Sequence, residues 1–203
     1  MQRVGGIFGR EALPSWQGSE GSSWPLAVAL FIRDVYALPA TKPFFVPPMD
    51  PEVPEHIPVV GPAGDGALAD EWAVWFDSLV HSRASIHESA GLMLEERTSA
   101  FRQAVENQLE PAVAAAEAFR NHDALDMRNG WKTDGPILPK LVRSIEKELG
   151  RKAAPFDLEI RILPVAGTWL HQVAPQRVLT NRATRSDPAE LRRLLGPIVR
   201  ELA

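Results

Sequence analysis

The sequence has no cysteine. That excludes disulfides, thiolate nucleophiles and cysteine-ligated zinc or iron–sulfur centres. It also lacks any long hydrophobic run. The longest, Trp24 to Ile32, ends at Arg33 and Asp34, whereas a spanning helix needs about 20 apolar residues. That run lies behind an acidic, Gly/Ser-rich stretch, so it reads as buried core rather than as a leader. The phosphate-binding patterns G-x-G-x-x-G and G-x-x-x-x-G-K-[ST] are absent, as are G-x-S-x-G and H-E-x-x-H. Gly5-Gly6-Ile7-Phe8-Gly9-Arg10 comes nearest to a nucleotide loop, but no strand precedes it. His87-Glu88 lacks the second histidine one turn on.

What is present describes a protein able to fold without staples. The chain has 203 residues, 45% hydrophobic and 24% charged, with a net charge of −4. A chain of that size buries most of its apolar surface. The charge is unevenly spread. Residues 1–125 hold 8 Lys/Arg against 17 Asp/Glu, and residues 126–203 hold 14 against 9. Such asymmetry points either to an anionic partner at the basic end or to attraction between halves or between subunits. Arginine outnumbers lysine by 17 to 5, a compositional bias that weakens arginine count as a sign of nucleic-acid binding. No basic stripe or recognisable module supports that class either.

Hydrophobic periodicity gives a coarse map. Residues 1–23 are glycine-rich and aperiodic, and they read as a loose N-terminal arm ahead of one globular domain over 24–203. Leu26 to Leu38 is apolar nearly all round, which fits a buried helix, with a central strand as the alternative. Eight prolines between Pro39 and Pro62 forbid helix and inner strand. The apolar residues among them make 39–66 an extended strap packed on the core. Leu68, Trp72, Trp75, Phe76 and Leu79 define a helix over 67–81, and Leu94, Phe101, Val105 and Leu109 a second over 91–109. Pro111 kinks that helix or starts a new one, and residues 121–136 read as a loop. Ile137, Leu138, Leu141, Val142, Ile145 and Leu149 define a helix stopped by Gly150. The period then changes to two at Leu158, Ile160 and Ile162. Two more short strands over 169–173 and 177–181 suggest a small antiparallel meander. Asp187-Pro188-x-Glu190 then caps a terminal helix. The expected class is a helix-rich α+β domain.

Candidate sites are sparse. Asp77 and His81 are four apart on one helix, with His87 and Glu88 just beyond. His122 and Asp126 cluster with Asp123 further on. Imidazole and carboxylate at such spacings suit zinc or manganese, which would fit a metal-assisted hydrolase. The C-terminal third gathers His171, Gln172, Arg177, Asn181, Arg182 and Arg185, a polar set able to hold an anion near a helix start. Six tryptophans, two of them (Trp16 and Trp131) in predicted loops, suggest that the protein docks something. Taken together, the residues point first to a non-catalytic binding or assembly protein of the cytoplasm that forms homo-oligomers or meets a protein partner. They argue against nucleic acid and membrane as partners, and they identify no cofactor.

Overall fold

The computed structural model describes residues 16–54, 66–82, 92–133 and 137–203. The expected helix-rich α+β class is what it contains. A four-stranded sheet is formed by β1 (Gln17–Ser22), β2 (Asp157–Leu163), β3 (Leu170–Ala174) and β4 (Arg177–Asn181), in the order β1-β2-β4-β3.

The sheet is not the expected meander. Only β3 and β4 pair antiparallel; β1 and β4 both run parallel to β2. Burial explains the order. Strand β2 is buried on both faces and β4 over four of its five residues, whereas β3 is no more than half-buried. Of the two hairpin strands, the more deeply buried β4 takes the central place beside β2, and β3 is left at the edge. The second correction concerns the N-terminal arm. Residues 17–22 are strand β1, in register with β2 from Gln17↔Asp157 to Ser22↔Ile162. Residues 1–15 lie outside the described residues. Their neighbour Trp16 stacks on Phe156 at 5.9 Å.

Strand β1 shows no hydrophobic alternation because it has no apolar side chains to alternate. Gly18 lets helix α5 (Ile137–Leu149) lie directly against the sheet. A Cβ on Gly18 would come within 2.2 Å of Leu138 Cδ2. Gly18→Val is therefore expected to lose about 1–3 kcal/mol through overpacking. Adding Leu138→Ala should recover part of that loss, as read by urea unfolding. Equal stabilities for the single and double variants would contradict the close approach.

Leu26 to Leu38 resolves as helix α1 (Trp24–Val35), with Pro25 in its first turn. It forms one core with α2 (Gly66–His81), α3 (Ser99–Asn107) and the first half of α4 (Leu109–Thr133). The described part of the strap crosses this core. Val46 and Met49 are buried, and Met49 bridges Val165. Prolines cannot donate backbone hydrogen bonds, so the helix supplies donors to the strap's carbonyls. Buried Arg33 gives Nη1 to Val46 O at 2.8 Å and Nη2 to Pro47 O at 2.7 Å. Asp34 accepts from Met49 N at 2.7 Å. Phe45 departs from the expected packing and is 58% exposed.

Two helix boundaries differ from expectation. The 91–109 helix is shortened to α3, whose N-cap Thr98 accepts from Phe101 N. Pro111 begins a new helix rather than bending an old one: the break at Gln108 places it in the first turn of α4, where a missing N–H costs nothing. The predicted loop from 121 is helical as far as Thr133. Its polar composition reflects a solvated helix face, not a turn. Asp123 is turned inward and is 1% exposed.

The opposite face of the sheet packs on a second core. Leu158, Ile160 and Ile162 of β2 and Val178 of β4 meet α5 and α7 (Pro188–Leu202). Between β4 and α7 lies the short helix α6 (Arg182–Ser186), capped by Asn181, where a loop was expected. Asp187 caps α7 as its sequence requires, accepting from Ala189 N at 2.9 Å and Glu190 N at 3.1 Å. No helix among the described residues is long and apolar enough to cross a membrane.

Candidate functional site

The polar residues singled out in the C-terminal third separate into three locations. Asn181, fully buried, is a joint between segments. It donates to Val165 O at 2.8 Å and Gly167 O at 2.6 Å, and accepts from Thr184 N at 3.0 Å. His171 lies at the sheet edge. Its ring stacks on Phe44 at 4.0 Å and on Trp169 at 6.3 Å. Burial holds its pKa below the usual histidine value, which favours the neutral ring. Its neighbour Gln172 points the other way and donates to Pro175 O at 3.3 Å.

Arg177 belongs to a second location on the first-core face of the sheet. Parallel register sets it beside Glu159, with Arg161 two residues along. Glu159 accepts from Arg161 Nε at 2.9 Å and from Arg177 Nε at 2.5 Å. Both guanidiniums then reach the end of α2. Arg161 donates to Leu79 O at 3.2 Å, Val80 O at 3.3 Å and Ser82 O at 3.3 Å, and Arg177 to Val80 O at 2.9 Å. The last carbonyls of a helix have no internal partners and carry its negative pole. Two arginines at that pole close it. Sequence reading missed Arg161 and Glu159. The only signal was a pair of charges alternating with the apolar residues of an otherwise buried strand.

The third location joins two groups that the sequence presents separately. Arg182 and Arg185 of α6 meet His122, Asp123 and Asp126 of α4. Arg182 donates to Asp126 Oδ2 and places Nη1 2.8 Å from His122 Nδ1. Arg185 Nη1 lies 2.6 Å from Asp123 Oδ1, and its Nε 3.6 Å from Glu20 Oε1 of β1. The Arg185–Asp123 pair is poorly solvated, with side-chain exposure of 2% at Asp123 and 9% at Arg185. Burial therefore raises the pKa of Asp123 and of Glu20, against the pull of Arg185 on both. Glu20 was not foreseen either; in a Gly/Ser-rich segment nothing marks it.

These locations differ in what they can hold. His122 Nε2 and Asp126 Oδ1 stand 4.0 Å apart on adjacent turns, and a metal ion there would have to displace the Arg182 guanidinium. Asp77 Oδ1 and His81 Nδ1 are 3.4 Å apart, both half exposed. His87 and Glu88, the other two candidate ligands, lie outside the described residues. Among the described residues no three His, Asp or Glu gather closely enough to form a ligand set. Beside Arg182 a cleft of about 270 Å³ opens at the C-terminal ends of β2 and β4, lined by Asp50, Phe119, Leu163, Val165 and Ser186 among others. The guanidinium is already paired with Asp126 and Asp50 lines the same cleft, so the cleft does not favour an anion.

Comparison with protein-family models, with characterised proteins and with solved structures gives no match.

Proposed function

We propose that this chain is a non-catalytic binding or assembly protein. One observation carries the reading: the arginines of the C-terminal third that sequence analysis marked for chemistry are engaged in joining elements of the fold. Arg177 joins β4 to Glu159 of β2 and to Val80 O at the α2 terminus, Arg185 links α6 to α4 and β1, and Arg182 links α6 to α4. His171, the histidine whose pKa burial depresses, is stacked between two rings. A general base or nucleophile needs a partly solvated group within reach of a substrate. These groups are instead committed to partners inside the chain.

Native mass spectrometry of the purified, untagged chain tests the reading. The expected result is a dimer or larger species, or a stoichiometric complex with another protein. A monomer at all concentrations that carries a stoichiometric metal ion, lost together with a hydrolytic activity on chelation, would replace this reading with the metal-assisted hydrolase.

A further inference from the structure

The face of the molecule built by α5 and α7 carries a groove that its own packing leaves open. The cleft, about 190 Å³, has Leu141 and Ile145 as its floor. Arg192, Arg193 and Arg200 stand around it with Glu148. Gly196 and Pro197 of α7 form its wall, in the interior of a 15-residue helix. Relative to alanine, glycine costs a helix interior about 1 kcal/mol and proline about 3. Glycine is usually kept in a helix where another part of the chain comes too close for a Cβ. Among the described residues that reason is absent at Gly196, where an added Cβ would meet nothing within 4 Å. The missing side chain leaves open space at the groove wall.

Charge identifies the occupant. Residues 137–152 and 188–203, which build this face, hold eight Lys/Arg against four Asp/Glu. On the groove itself, Glu148 accepts from Arg192 at 2.7 Å and also from Arg200, while Arg193 pairs with Glu190. Three guanidiniums thus share two carboxylates, and the rim is positive. Helix α2 has the opposite character. It contains Asp70, Glu71 and Asp77 and no Lys or Arg. Between these acids its outer face presents Val74, 53% exposed. Asp70 is held by Lys42 at 2.9 Å and Asp77 faces His81. Glu71, Val74 and Asp77, at spacings of three, therefore form one short stripe, acid–apolar–acid. The groove presents the complementary pattern, an apolar floor within a basic rim.

Resting on the assembly reading above, we propose that the α5–α7 groove receives the outer face of α2 from a second copy of this chain. Helix α2 packs on the Glu159/Arg161 face of the sheet, and α5 and α7 on the Leu158/Ile160 face. Donor and acceptor surfaces therefore lie on opposite sides of the molecule. The contact is heterologous: copies add head to tail and form a ring or an open chain rather than a two-fold dimer. Exposed charges on both sides make it sensitive to salt.

Sedimentation velocity on the full chain and two kinds of variant tests this. Gly196→Leu fills the groove, and Arg193→Glu is a second route to the same block through an exposed residue. Glu71→Arg with Asp77→Arg reverses the stripe. Wild type is expected to assemble beyond the dimer as concentration rises, with affinity falling at least about tenfold from low to high salt. Each variant alone should be monomeric with unchanged far-UV circular dichroism. An equimolar mixture of a groove variant and the stripe variant should give a 1:1 dimer, because one intact groove and one intact stripe remain. Variants that assemble like wild type, or a mixture that stays monomeric, would overturn the proposal. A monomeric wild type that captures a different protein would overturn this interface while leaving the binding reading in place. A monomer with no partner would remove both.

Discussion

Arg161→Ala is expected to cost about 3–5 kcal/mol of stability, the range found when one member of a buried charged set is removed. For a chain of this length that corresponds to a fall in melting temperature on the order of 10 °C. The side chain is 3% exposed and supplies hydrogen bonds to three carbonyls at the end of α2 besides its pairing with Glu159. Arg177 still reaches Glu159 and Val80 O in the variant. The groups left without this donor are chiefly the carbonyls of Leu79 and Ser82, next to a cavity the size of a guanidinium. Arg161→Lys should recover little, because a single ammonium cannot span carbonyls that a planar fork reaches. Arg177→Ala should cost less, since its side chain is 20% exposed and water can replace part of what it does. Urea unfolding of the three variants checks the order. A loss below about 1 kcal/mol for Arg161→Ala would mean that the α2 terminus is held by apolar packing alone.

How legible the molecule was follows from how local each signal is. Helices α5 and α7 could be read closely because their apolar stripes and end signals, Gly150 for one and Asp187-Pro188 for the other, lie within a few residues of each other. The strands of the hairpin could be read for the same reason. Strand β1 could not. Gln17 to Ser22 has no pattern of its own and becomes a strand because β2, buried on both faces, needs a neighbour on that side. The reach of α4 past residue 121 was hidden by a polar face. The charged set was hidden by distance: Arg182 and His122 are 60 positions apart, and sequence spacing says nothing about such pairs. Each half drew notice separately, one as metal ligands and the other as an anion site. Together they neutralise one another, a different chemistry from either half alone. Arg33 shows the converse. It read as the end of an apolar run, yet it holds the proline strap to α1.

The neutralisation is incomplete, and pH makes that measurable. Around Arg185 stand Glu20 from β1, Asp123 and Asp126 with His122 from α4, and Arg182 from its own helix. Burial raises the pKa of Glu20 and Asp123 from their ordinary values, against the opposing pull of Arg185 on both. A carboxyl whose folded pKa is raised binds its proton more tightly folded than unfolded. Its stabilising contribution is therefore complete below the unfolded value, near pH 4, and declines as pH rises through the folded value. Arg185→Ala removes the counter-charge and raises both folded values further, which steepens that decline. The variant is expected to lose about 3–5 kcal/mol near pH 7, where Asp123 would be an unpaired charge in a dry site. The deficit should shrink toward pH 4, where both carboxyls take up protons. Adding Asp123→Asn removes the stranded charge and should return much of the neutral-pH loss without restoring any bond to Arg185. Urea unfolding of wild type, single and double variants at pH 4 and pH 7 separates the alternatives. A deficit equal at both pH values, and untouched by Asp123→Asn, would assign the role of Arg185 to packing of its aliphatic stem, and the link from α6 to α4 and β1 would be steric rather than electrostatic.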